Sequence, residues 1–203
     1  MILIRLKSGT SAEHERIERA VPLLADDLDR ATYGRYLEKL LGFYEPLEQA
    51  LAPHPWHLVG IDFAARRKTE LLVRDLCYLG YDEAALANVA RCAALPPLPD
   101  LPAALGCLYV LEGSTLGGQI LSRHVARRLG LSPATGAAFL APYGKAVGPM
   151  WRTFSERLEA FPCDEATQDR MVESARATFH ALERWLTRSS LALEEPQAAA
   201  PAL

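Results

Sequence analysis

No pair of cysteines in this sequence has the spacing of a redox or zinc motif. Cys77, Cys92, Cys107 and Cys163 form no CxxC and stand well apart, which argues against a zinc site. Scattered thiols of this kind fit a reducing cytoplasm, with the side chains acting as small core hydrophobes. No apolar run approaches the roughly 20 residues that span a bilayer, and the opening stretch from Met1 to Lys7 is too short for a signal peptide. GxSxG, Walker and Rossmann patterns are missing. The formal net charge is only -3, so the balance does not point to nucleic acid. The basic clusters Arg66-Arg67-Lys68 and Arg127-Arg128 are short and read as solvated helix faces. No internal repeat is present.

The chain has 203 residues, half of them apolar. That is enough to bury a core in one domain without disulfides or structural metal. The dominant period is helical, which predicts an all-α fold over residues 1–190 and a disordered tail over 191–203. The first helix is expected after Ser8-Gly9-Thr10, started by a Thr10/Glu13 capping box and limited by Pro22. A second runs from about Ala31 to Leu51, with Pro46 expected to kink it. Ala52 to Asp62 reads as a loop. Helices follow over about 66–79 and 83–93, then an extended proline-rich linker, then a long helix over about 103–129. A glycine- and proline-containing loop leads to two last helices, about 149–161 and 164–187.

Three features could carry chemistry. His14 falls in register with Ile17, Val21, Leu24 and Leu28, so a helical first segment places it on the buried stripe. There it is either a hydrogen-bonded core residue or a ligand, and a neutral imidazole suits iron. The long helix contains Gly106, Gly113, Gly117 and Gly118. Each interior glycine costs a helix about 1 kcal/mol relative to alanine. Either a neighbouring helix packs into a small-residue groove, or a flat ligand lies against a bent, glycine-broken helix. Lys7 and Arg152 flank these elements and could meet carboxylates at the mouth of an apolar slot. His54 and His57 form an HxxH without carboxylate or cysteine company and read as loop residues, and His124 and His180 read as ordinary helix residues.

Two motifs resemble a known family. Lys7-Ser-Gly-Thr-Ser-Ala-Glu-His14 resembles the proximal helix of haem oxygenases, and Tyr109-Val-Leu-Glu-Gly113-Ser-Thr-Leu-Gly117-Gly118-Gln119 resembles their distal glycine helix. The form Leu-Glu-Gly-Ser-Thr-Leu-Gly-Gly is similar to the bacterial branch that accompanies bacteriophytochromes. The resemblance covers about residues 5 to 187. It implies that His14 ligates haem iron and that Gly113, Gly117 and Gly118 let distal backbone lie over the haem. It also implies that Lys7 and Arg152 pair with propionates, Phe179 packs at the haem edge and Tyr109 is a further propionate contact. Where many members carry an aspartate that orders proton-donating waters, this chain has Ser114. A hydroxyl cannot carry the same charge, so proton delivery falls to Ser114, Thr115 and backbone carbonyls.

The implied activity is oxidative cleavage of haem, both substrate and cofactor, to biliverdin, carbon monoxide and ferrous iron, using O2. With no nucleotide motif, electrons come from an external ferredoxin or reductase, and a basic patch near the haem edge is expected for such an acidic donor. A bacteriophytochrome is the implied recipient of the bilin, in the cytoplasm. The alternatives are a non-catalytic haem- or bilin-binding protein of the same fold, and a helical interaction protein with a structural His14.

Overall fold

A computed structural model describes residues 1–188; the tail expected over 191–203 lies outside the described residues. Eight α-helices and no strand are found among them: α1 (Ile2–Gly9), α2 (Ser11–Ala20), α3 (Arg30–Leu51), α4 (Thr69–Tyr78), α5 (Glu83–Asn88), α6 (Leu101–Leu129), α7 (Val147–Ala160) and α8 (Glu165–Arg188). The fold is all-α, as the helical period predicts. α6 runs through the middle and packs on α8 and α7; α8 also carries α1 and α2, and α3 packs on α4.

Aspartates set several helix starts. Asp29, Asp82, Asp100 and Asp164 accept backbone N–H bonds from Thr32, Ala85, Ala103 and Thr167 at 2.7–2.9 Å. Each satisfies an orphan donor of the first turn. α1 is the helix the sequence reading missed. Its start has no side-chain cap of its own. Glu159 of α7 accepts instead from Ile2 N and Leu3 N at 3.1 and 3.0 Å, and Ile2 and Leu6 are buried, one turn apart.

The presence of α1 removes the expected capping box. Thr10 follows a helix rather than a loop, and its hydroxyl donates back to the Leu6 carbonyl at 2.7 Å. Glu13 faces Arg16 and His180. α2 stops before Pro22, as expected. α3 continues through Pro46. Proline cannot donate to the carbonyl four residues earlier, and Cys92 N–H takes that Gly42 carbonyl at 2.8 Å. A Cβ on Gly42 would stand 2.2 Å from the Ala90 carbonyl oxygen, so glycine and proline together dock the 90–92 segment. Cys92 and Cys107 are core residues as expected, but Cys77 is exposed.

The basic run at 66–68 is not a solvated face. Arg66 is 5% exposed and Lys68 1%; only Arg67 points outward. Two charged groups of α3 and α6 account for this. Glu112 pairs with Arg66 and with Lys68 Nζ, the latter at 2.7 Å. Glu48 accepts from Lys68 N at 2.6 Å and from Thr69 Oγ1 at 2.7 Å. Buried charges are tolerable only when paired and hydrogen-bonded in this way.

Candidate functional site: a slot between α2 and the glycine stretch of α6

α2 is tied to α6 at both ends. At its start, Tyr109 of α6 stands beside Thr10, whose hydroxyl lowers the pKa of the tyrosine phenol. Past its end, His124 of α6 bonds the Ala25 carbonyl at 3.2 Å, and the turn Pro22–Leu24 packs on α6. Between these ties α2 buries none of its residues. His14 therefore does not sit in a buried stripe: its side chain is 58% exposed. Ile17 and Val21 are half-buried, and Leu24 is 56% exposed. The α6 residues between the ties include exposed Ser114, Leu116, Gly117 and Ile120, the last 60% exposed. Exposed leucine and isoleucine on this stretch of α6 mark a surface that suits an apolar cover.

The glycines sort into two kinds. A Cβ on Gly106 would stand 2.1 Å from the Met171 carbonyl oxygen of α8, and one on Gly118 2.8 Å from that of Leu140. These two serve protein packing, so Gly118 lies against backbone and not over the slot. Gly117 has nothing within 4 Å of such a Cβ, and Gly113 meets only the Trp151 ring, at 3.9 Å or more. No protein neighbour requires glycine at these two positions, one turn apart. α6 is unbroken through all of them, so the expected break at the glycines is absent. The main-chain ladder is complete without side chains, and α8 and the Leu140 segment brace the back of the helix.

His14 Nδ1 faces a carboxylate oxygen of Glu18 at 3.5 Å, one turn on in the same helix. Phe179, buried, meets the imidazole edge-on with ring centroids 6.1 Å apart. Tyr109 lies 5.8 Å from Trp151; burial pushes its phenol up, partly offset by the Thr10 hydroxyl. Lys7 ends α1 and Arg152 lies in the first turns of α7, two helices in contact, and both side chains are exposed.

The hydroxyls differ in direction. Ser114 Oγ donates to the Leu111 carbonyl at 2.8 Å and lies 3.3 Å from Tyr44 Oη. Thr115 is buried and donates to the Glu112 carbonyl at 2.7 Å, so it faces inward. The sequence reading missed Tyr44. Burial is the main cause that drives its phenol well above the usual range, against the lowering bond to Ser114, so it stays protonated.

The exposed imidazole of His14 and the half-buried Ile17 and Val21 of α2, with the exposed Leu116, Gly117 and Ile120 of α6, are residue types that suit a flat, apolar, iron-bearing ring. The model of the family described as "Heme oxygenase" matches residues 2–188. The chain is 33% identical over 157 residues to "Heme oxygenase" of Xanthomonas campestris pv. campestris, covering 75% of this chain and 87% of that protein. It is 27% identical over 187 residues to "Heme oxygenase PigA" of Pseudomonas aeruginosa, covering 91% of each. Among solved structures, the NO- and CO-bound heme oxygenase of Neisseria meningitidis superposes with a TM-score of 0.80 at 24% identity, over 99% of both chains.

Proposed function

The chain belongs to the haem oxygenase family, and on that premise we propose that it cleaves haem to biliverdin, carbon monoxide and ferrous iron, with residues 1–190 forming the one domain that does so. The observation that carries the proposal is that α2, flanked on α6 by Tyr109 and His124 on either side of Gly113 and Gly117, buries none of its own residues. Haem supplies the iron centre for O2 chemistry and the ring that is opened.

Each residue then has a physical task. His14 Nε2 is the iron ligand, and a neutral imidazole gives less electron push than a thiolate. Gly113 and Gly117 admit the ring close to backbone. Leu24, Leu116 and Ile120 exclude water around it. Lys7 and Arg152 meet the propionates, Tyr109 assists, and Phe179 holds the imidazole edge. Ser114 gives its own proton to Leu111, so it accepts from Tyr44 and keeps a lone pair toward the slot. The pair Tyr44–Ser114 thus holds a proton where a carboxylate stands in other members.

Electrons come from an external ferredoxin or reductase. The exposed Arg123, Arg127 and Arg128, on the last turns of α6 past Ile120, offer such an acidic donor a basic surface. No described helix is long and apolar enough to cross a membrane, which is consistent with work in the cytoplasm. Transfer of biliverdin to a bacteriophytochrome rests on the run from Leu111 to Gly118 alone.

The test is a haem titration followed by aerobic turnover. Wild type should give a Soret band that His14→Ala shifts or loses, and with reductant and O2 should give a bilin. No Soret band removes the haem reading; a Soret band with intact haem recovered after turnover makes the protein a binder.

A further inference from the structure

We propose that Glu112 is a positioning residue, whose buried carboxylate fixes the rotation of α6 so that Gly113 and Gly117 stay turned to the slot. The inference rests on the haem reading for what those glycines face.

Glu112 immediately precedes Gly113 and points the other way, into the protein. Its carboxylate takes three donors from two separate segments. Arg66 meets one oxygen. Lys68 Nζ meets the other at 2.7 Å and Tyr143 Oη the same one at 2.8 Å. The donors are themselves fixed. Arg66 also donates to the Met150 carbonyl at 3.4 Å and lies 5.5 Å from the Phe154 ring centre, both in α7. Lys68 Nζ donates to the Arg66 carbonyl at 2.9 Å and stands over the Tyr143 ring. Glu48 of α3 holds the backbone of Lys68 and Thr69. One carboxylate therefore joins α6 to α3, α7 and the 131–146 connection.

The placement answers a specific weakness. On its glycine side α6 has no side chain at 113 or 117, and the Trp151 ring, 3.9 Å from a Cβ at 113, is the one neighbour near either, so packing there does little to resist rolling. Successive helix residues are about 100° apart, so any roll that frees Glu112 carries Gly113 with it. Apolar contacts would hold the helix as firmly with less desolvation, but they tolerate sliding. Charge-assisted bonds from a guanidinium, an ammonium and a phenol accept one geometry. Tyr143 is held protonated, mainly by burial and then by Glu112 itself, so it remains a donor.

The experiment is amide hydrogen exchange on the haem-free protein, comparing wild type with Tyr143→Phe, Lys68→Met, Lys68→Arg and Glu112→Gln. Tyr143→Phe and Lys68→Met should speed exchange over residues 112–121 at least tenfold more than over α8 and the first half of α3. Lys68→Arg should restore most of the protection. Unchanged exchange over 112–121 in both Tyr143→Phe and Lys68→Met overturns the proposal, as does an equal rise in every helix. Glu112→Gln, should it fold, must show the same local pattern; if it does not fold, the two milder variants decide. A wild-type protein without a Soret band would end the haem reading while the exchange pattern still judges the anchor.

Discussion

The hydroxyl of Tyr44 lies 3.3 Å from Oγ of Ser114, joining the middle of α3 to the slot side of α6. Ser114 gives its proton to the Leu111 carbonyl, so the serine depends on the tyrosine for a donor. Removing either hydroxyl should leave haem affinity within about twofold and slow bilin formation by on the order of tenfold to a hundredfold. Because both act in one chain, the double variant Tyr44→Phe/Ser114→Ala should be no slower than the worse single one. Single-turnover kinetics of the haem complex check this, and additive losses would separate the two residues.

Gly117→Ala and Gly118→Ala should move stability in opposite directions. Nothing stands near a Cβ at 117, so alanine there should stabilise the haem-free protein by about 0.5–1 kcal/mol through helix propensity. The same methyl should weaken haem binding by about tenfold, or roughly 1.4 kcal/mol. At 118 the methyl meets the Leu140 carbonyl oxygen at 2.8 Å and should destabilise by about 1–3 kcal/mol. Thermal melts with and without haem distinguish the two.

Arg67 and Lys68 are neighbours with different tasks. Arg67 is half-exposed, with its Nε 3.4 Å from the buried Glu48, and Arg67→Ala should cost about 1 kcal/mol. Lys68→Ala leaves Glu112 one cation short in the interior and should cost about 3–5 kcal/mol. Urea unfolding of the two variants measures the difference.

Asp75 sets a pH dependence of unusual sign. Burial raises its pKa, against the lowering bonds from Phe139 N and Ala138 N, both 2.8 Å. The folded protein therefore binds this proton more tightly than the unfolded chain. Its contribution is full below the ordinary carboxylate pKa and is lost as pH rises through the raised folded value. Asp75→Asn should flatten the pH dependence of the unfolding midpoint over the window between the ordinary carboxylate pKa and the raised folded one. An unchanged pH profile in the variant would assign the dependence to another group.

Much of the helix plan was legible because its signals are local. α3, α4, α6, α7 and α8 lie close to their expected spans, since apolar period, aspartate caps and glycine stops act within a turn or two. α1 escaped because its start is capped by Glu159, far away in sequence. The Arg66-Arg67-Lys68 run misled for a related reason: what buries its two ends is Glu112 of α6 and Glu48 of α3. The family resemblance was legible as motifs around His14 and Gly113, whereas the Tyr44–Ser114 contact gave no signal because the two residues lie 70 apart in sequence.

The sequence by itself determined that the chain is helical and where its long helices run, and those properties follow from periodicity. Only the tertiary structure decided which glycines serve packing and which stay bare, that His14 stands exposed beside Phe179, and that three buried donors converge on Glu112. Each of these depends on what lies across a gap, and that distance is set by how helices remote in sequence pack.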